Sequence, residues 1–242
     1  MLLLHGGGAV EPADFGTLAA WFDPRFEITH SGDLTAVTDW NDHSGAARDG
    51  TIVGAPTYEA TGWNGKPSVS CDGTDDGIVC ASLGAVFAGS DIPFYVVCAM
   101  QCTSLPGALE KPLALGVTGS AAQVHAIEWI NATNNWGLKR NDAATNKFHT
   151  GTNNSLDTSR HVISFQFTGT LGTLTEDGAS VGLDNKDLDV GSITFNSFSL
   201  GFWRASTDKE WANVRFGPVL VYSALTNEAG ARQWLIDQGY GP

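Results

Sequence analysis

Acidic and thiol side chains are concentrated in the stretch SVSCDGTDDGIVC, which begins at Ser68. It contains Asp72, Asp75 and Asp76, with one cysteine on each side. Calcium loops of the EF-hand type place oxygen ligands at alternating positions and need a bidentate acid at the twelfth. Leu83 stands at that position, so the motif is incomplete. We predict a strand–turn–strand hairpin with no assigned metal. A looser calcium site using Asp75 or Asp76 stays open as an alternative.

The four cysteines could form two disulfides or remain reduced. Cys98 and Cys102 stand four residues apart in one apolar run that is predicted to be a strand. They would then point to the same face of that strand about 13 Å apart, which is too far for a disulfide. We predict that Cys98 and Cys102, like Cys71 and Cys80, are free buried thiols.

Sequence motifs of the common catalytic sites are not found. Glycosidases need two acids facing one cleft. Asp187 and Asp189 have suitable spacing for a strand, but they lie in a polar stretch typical of a loop. There is also no nucleophile elbow, phosphate loop, Cys-x-x-Cys pair or His-Glu-x-x-His motif. We therefore predict a non-enzymatic protein without catalytic residues. A polysaccharide-active hydrolase or lyase, or a free carbohydrate-binding module, is the alternative.

Tryptophans close to amide side chains suggest carbohydrate binding. Saccharides stack on exposed aromatic rings, and amides bond to their hydroxyls. Trp136 follows Asn134 and Asn135 and has turn-forming neighbours, so we expect its ring to be an exposed platform. Trp203 is the second candidate ring. A β-sandwich also needs bulky core residues, and either tryptophan could serve there instead.

The charge of the chain argues against two classes of partner. Its 242 residues carry a formal net charge of −13, with only 13 lysines and arginines spread thinly. Nucleic acids and anionic membranes attract clustered basic residues, so we expect neither as a partner. No apolar run approaches the ~18 residues of a spanning helix. The start, MLLLHGGGAVEP, lacks the basic region of a signal peptide, and we predict none.

Period-two patterning predicts the elements that must position these side chains. Ile163, Phe165 and Phe167 alternate with polar residues, as in a strand with one buried face. The run from Phe94 to Met100 is apolar on both faces and is predicted to lie centrally between two layers. We count about a dozen strands, with a single good helix that begins after a cap at Thr226. An antiparallel sandwich is expected.

The first residues are predicted to be a separate N-terminal arm. We assign residues 1–16 to this arm and 17–242 to a single β domain. The triglycine has no periodic neighbours, so an ordered arm would need either its own domain or another chain to hold it. The predicted partner-docking residues are Leu2, Leu3, Leu4, Gly6, Gly7 and Gly8.

The order of several motifs resembles a known superfamily. These motifs are LAAWFD from Leu18, VTDWNDHSG from Val37, GWNGKPSV from Gly62, CDGTDD from Cys71 and FGPVLVYSALT from Phe216. The series resembles the concanavalin A-like lectin/glucanase superfamily, specifically the laminin-G-like domains of bacteriophage virion and bacterial surface proteins. The resemblance implies an all-β, two-sheet antiparallel jelly-roll sandwich with one short C-terminal helix.

The same resemblance suggests a function on a virus particle. We predict a virion structural protein, such as a bacteriophage decoration, capsid-fibre or tail component on the particle surface. Its expected partners are neighbouring virion proteins and a cell-surface glycan. The Glu-x-Asp-x-x-Glu strand of the superfamily's glucanases does not occur here, in agreement with the prediction that the protein is not an enzyme.

Overall fold

The computed structural model describes residues 9–117, 120, 123–130, 133–153, 155–204 and 209–242. The predicted docking residues Leu2, Leu3, Leu4, Gly6, Gly7 and Gly8 lie outside these ranges. The strands are β1 (Gly16–Phe22), β2 (Ile28–His30), β3 (Thr35–Trp40), β4 (Thr51–Val53), β5 (Thr57–Trp63), β6 (Lys66–Asp72), β7 (Gly77–Cys80), β8 (Gly89–Ser90), β9 (Phe94–Cys102), β10 (Glu110–Gly116), β11 (Gln123–Ile130), β12 (Asn135–Asp142), β13 (Asn146–Thr150), β14 (Arg160–Phe167), β15 (Leu171–Glu176), β16 (Ala179–Asp187), β17 (Ser192–Ile193), β18 (Ser197–Leu200), β19 (Phe202–Arg204), β20 (Lys209–Trp211) and β21 (Asn213–Leu225).

Two antiparallel sheets form a sandwich, which confirms the predicted fold class. The larger sheet has the order β16-β15-β14-β9-β21-β6-β5-β3-β2, and β1 also pairs with β21. The smaller sheet has the order β13-β12-β11-β10-β18-β7-β4. The long strand β21 is bulged between Phe216 and Val219, where the sequence has Gly-Pro.

The core fills the space between the two sheets. Val96 and Phe165 of the larger sheet belong to the same buried hydrophobic cluster as Leu115 and Ile127 of the smaller sheet. The opposite side of β9, including Val97, packs in a second cluster with the C-terminal helix. The run from Phe94 is therefore covered on both faces, as its composition predicts.

The helices differ in part from the prediction. The C-terminal helix α2 (Glu228–Leu235) is capped by Asn227, whose side chain accepts a hydrogen bond from the Gly230 amide. Thr226 is not the cap, because its hydroxyl donates to the Phe15 carbonyl instead. The structure also has a short helix α1 (Ala81–Val86), a 3₁₀ turn (Pro12–Phe15) and a π turn (Ile236–Tyr240). In the described ranges, none of the helices is long and apolar enough to span a membrane.

The segment from Asp72 to Asp76 is not a hairpin turn. β6 pairs with β5 and β21 in the larger sheet, whereas β7 pairs with β4 and β18 in the smaller one. The predicted hairpin is therefore wrong, and the acidic segment carries the chain from one sheet to the other. The four cysteines are free and buried, which confirms the second prediction made for this region.

Candidate functional site

Three of the four residues predicted to bind a glycan, Asn134, Asn135 and Trp136, lie at the start of β12. The ring of Trp136 is only 3% exposed because it faces the core, where it packs edge-on against Trp129 at 6.1 Å between ring centroids. Its indole nitrogen donates a hydrogen bond to Glu176. Asn135 is also buried, and Asn134 is half-buried in the preceding turn. The expectation of an exposed platform at Trp136 is wrong, since strand pairing turns this ring inward.

The second predicted ring is also covered. Trp203 is 5% exposed and packs with Ala114 and Val124 against the smaller sheet. The ammonium of Lys111 lies 5.0 Å from the Trp203 ring centroid. Neither predicted tryptophan therefore presents a ring face to a ligand in this structure. Glycan binding by Trp136, Trp203, Asn134 and Asn135 stays a prediction, and the candidate site lies elsewhere.

The acids of the crossover segment bond to backbone amides. Ligand atoms of Asp72, Asp75 and Asp76 all lie within 4.8 Å of one another. Asp76 accepts hydrogen bonds from the amides of Ala55 and Asp72, at 2.7 Å and 3.3 Å, and Asp72 accepts one from Thr74 at 2.8 Å. Burial, together with the neighbouring carboxylates, raises the pKa of Asp76. These contacts explain how the crossover is held, and we assign no metal to it.

A cavity of about 530 Å³ opens beside the C-terminal helix. Four aromatic side chains contribute to its lining: Trp21 from β1, Phe26 from the loop after β1, His43 from the loop after β3, and Trp234 from α2. We call this cavity the aromatic pocket. Its polar lining includes Glu11, Arg25, Ser44 and Gln238.

The rings of the aromatic pocket support one another. Phe26 and His43 are stacked, with centroids 4.7 Å apart and planes 18° apart. Trp21 packs edge-on against His43 at 4.6 Å and against Trp234 at 5.5 Å. Phe26 is 40% exposed, so it forms the rim of the pocket. The arrangement combines a fixed aromatic wall with an accessible ring.

A buried ion pair forms the base of this wall. The carboxylate of Asp23 is fully buried and accepts hydrogen bonds from Arg25 Nε at 2.9 Å and Nη2 at 2.6 Å, and from Trp21 Nε1 at 3.2 Å. Arg25 Nη1 donates to Gln238 Oε1. Burial acts to lower the pKa of Arg25, but the hydrogen bond and charge of Asp23 outweigh it, and the pKa is raised. The guanidinium is therefore charged and matched by its partner.

A second buried acid holds the loop that carries His43. Asp42 accepts hydrogen bonds from the Trp21 amide at 2.9 Å and from the amide and hydroxyl of Ser44 at 2.9 Å and 2.8 Å. It also accepts one from the Arg48 amide at 3.2 Å. The His43 amide donates to the Trp21 carbonyl at 2.8 Å. These bonds place His43 and Ser44 at the pocket before any ligand arrives.

This combination of groups suits a ligand with both apolar faces and hydroxyl groups. Small-molecule sites are concave, mostly aromatic or apolar, and contain a few placed polar groups. The sequence did not identify this site, although Trp21, Asp23, Asp42 and His43 all stand in the motifs that suggested the fold. Local patterns do not show which distant segments meet to form the pocket. Trp234 Nε1, for example, donates a hydrogen bond to the Val10 carbonyl 224 residues away.

The fold and pocket together define a two-sheet β-sandwich with an aromatic-lined cavity beside the C-terminal helix. No protein-family model matches the sequence, and no curated protein matches it. Among solved structures, Trypanosoma rangeli sialidase in complex with sialic acid is similar over 100% of this chain, with a TM-score of 0.68 and 15% identity. This chain spans 36% of that sialidase's length.

A second similar structure is a single domain. Domain 4 of AbnA, a GH43 extracellular arabinanase from Geobacillus stearothermophilus, was solved in complex with arabinotriose. It is similar over 90% of this chain and 98% of the domain, with a TM-score of 0.61 and 14% identity. These likenesses establish a shared β-sandwich fold.

The comparisons overturn the predicted virion function. The similar structures come from a sialidase and an arabinanase, which are carbohydrate-active proteins, and nothing in them supports a place on a phage particle. The prediction was wrong because sandwich motifs such as CDGTDD report how the chain folds, and one fold serves many functions.

Proposed function

We propose that this chain is a carbohydrate-binding domain, of the concanavalin A-like lectin/glucanase type, and that the aromatic pocket is its saccharide site. The observation that carries the proposal is the exposed Phe26–His43 stack beside Trp21 and Trp234, with Ser44 and Gln238 close by. The likeness to an arabinanase domain solved with arabinotriose supports the same function. Binding without catalysis is part of the proposal.

Removal of the rim ring tests this function. We expect Phe26→Ala to weaken saccharide binding about three- to tenfold, since a stacked aromatic contact contributes roughly 0.5–1.5 kcal/mol. Phe148→Ala is the matched control, because Phe148 is 44% exposed on β13 of the other sheet and does not line the pocket. Calorimetric titration with a panel of oligosaccharides measures both. Equal affinities of the two variants, or no binding by the wild type at millimolar ligand, would contradict the proposal.

Polysaccharide hydrolysis is a second candidate function, and one observation favours it. Glu110 and Glu210 line a second cavity of about 440 Å³ together with Trp211. Burial raises the pKa of Glu110, and Glu210 forms an ion pair with Lys111, so two carboxyl groups with different surroundings line one cavity. Release of reducing ends from a bound polysaccharide, lost in Glu110→Gln, would support hydrolysis. Binding without release would support the non-catalytic function.

A further inference from the structure

The charges around the aromatic pocket bear on which saccharides it accepts. Among the described residues that line the pocket, Arg25 is the one lysine or arginine and Glu11 is the one acid. Ser44 and Gln238 are uncharged hydrogen-bonding groups. Sites that bind sugar carboxylates use a cation with free donors, typically a bidentate arginine. The question is therefore whether the positive charge of Arg25 is free to pair with a ligand carboxylate.

Three of the five guanidinium N–H donors of Arg25 are engaged by the protein. Nε and Nη2 donate to the carboxylate of Asp23, and Nη1 donates to Gln238. The guanidinium carbon also lies 5.1 Å from the Phe26 ring centroid and 5.6 Å from that of Trp234. Arg25 is thus a part of the wall. Its charge is balanced by the fully buried carboxylate of Asp23, so this wall offers a ligand carboxylate no unpaired cation.

The remaining charged groups near the pocket are mainly negative. The exposed Glu11 lies on the lining, and Glu27 Oε1 lies 3.8 Å from His43 Nδ1. The whole chain carries a net charge of −13. A ligand carboxylate entering this pocket would meet like charge and no unmatched cation.

We propose that the aromatic pocket selects neutral saccharides and rejects those that carry a carboxylate, such as uronic and sialic acids. This inference rests on the proposed function. It goes further than that function. The likeness to a sialidase and an arabinanase leaves acidic and neutral sugars equally open, whereas the charges around this pocket favour neutral sugars.

Pairs of ligands in which one member carries a carboxylate and the other does not test the inference. Lactose is compared with 3′-sialyllactose, and fully methyl-esterified trigalacturonic acid with free trigalacturonic acid, alongside neutral arabino-, xylo- and gluco-oligosaccharides. We expect each acidic ligand to bind at least about tenfold more weakly than its uncharged counterpart at low ionic strength. The difference should narrow in 0.5 M salt, because salt screens the repulsion.

Two variants change the charge of the pocket without removing a ring. Asp23→Asn leaves Arg25 unbalanced, and Glu11→Gln removes the acid from the lining. Each should shift the ratio of acidic to neutral affinity at least about threefold toward the acidic ligand. Asp184→Asn, which removes an exposed acid on β16, is the control and should leave the ratio unchanged. If Asp23→Asn does not fold because its site is buried, the exposed Glu11→Gln still decides the outcome.

The possible outcomes separate the two proposals. Neutral ligands that bind while acidic ones bind at least tenfold less support the inference. Acidic ligands that bind as well or better overturn the selectivity and leave the carbohydrate-binding function standing. If no saccharide binds to the wild type, the proposed function fails, and the inference fails with it.

Discussion

His161 on β14 lies among three carboxylates and should make the stability of the fold depend on pH. Its Nδ1 is 2.8 Å from Asp177 Oδ2 and 3.7 Å from Glu176 Oε1, and its Nε2 is 3.0 Å from Asp157 Oδ1. Burial acts to lower the pKa of the imidazole. The hydrogen bonds to Asp177 and Asp157, with the charge of Glu176, outweigh burial and raise the pKa to about 9.

The sign and size of the effect follow from this pKa. The unfolded chain has a histidine pKa near 6.5, so the folded protein binds the proton more tightly. The stabilisation is therefore fully present below about pH 6.5 and is lost as the pH rises through about 9. Roughly 2.5 pKa units correspond to about 3 kcal/mol in the free energy of unfolding. The His161 side chain is only 13% exposed, so solvent screens this contribution little.

Substitution of His161 by glutamine tests the magnitude. We expect His161→Gln to lower the free energy of unfolding by roughly 3 kcal/mol at pH 6 and by much less at pH 10, where the wild-type imidazole is neutral. Urea unfolding followed by tryptophan fluorescence at both pH values measures the difference. His149→Gln, on the edge strand β13, is the control and should cost less than about 1 kcal/mol at either pH. A wild-type-to-variant difference as large at pH 10 as at pH 6 would refute the reasoning.

Two further predictions follow from burial. Because burial raises the pKa of Cys98 and Cys102 to about 12, we expect the native protein to react slowly with a thiol reagent at pH 8 and all four thiols to react in urea; rapid native labelling would contradict this. We also expect Trp136→Ala to lower the stability by roughly 3–5 kcal/mol, as is usual for a buried tryptophan, with saccharide affinity unchanged in the fraction that stays folded. A loss of saccharide binding without a loss of stability would indicate that Trp136 belongs to the ligand site.

The sequence predicted strands that carry a clear local signal, but the described residues contain 21 strands and not the dozen expected, because the short ones have too few residues to show a period. Ile163, Phe165 and Phe167 alternate with polar residues, and the strand they predict is β14. The same signal contains no information about which sheet a strand joins. The short polar segment after Asp72 therefore suggested a hairpin, although β6 and β7 pair in different sheets.

The orientation of individual tryptophans was harder to predict for a similar reason. Turn residues before Trp136 suggested exposure, but the first strand positions after a turn can point either inward or outward. In β12 the inward position falls on Trp136, which bonds to Glu176 from the other sheet. The aromatic pocket depends even more on distant contacts, since its wall joins β1, two loops and the C-terminal helix.

The two buried aspartates connect the shape of the pocket to its selectivity. Asp23 aligns Trp21 and Arg25, and Asp42 fixes the loop that carries His43. Each buried carboxylate is stable because donors surround it, and the positive charge of Arg25 is matched by Asp23 in building the wall. A protein that positions its rings in this way has little positive charge left to offer. The proposed preference for uncharged saccharides would follow directly from how the pocket is held together.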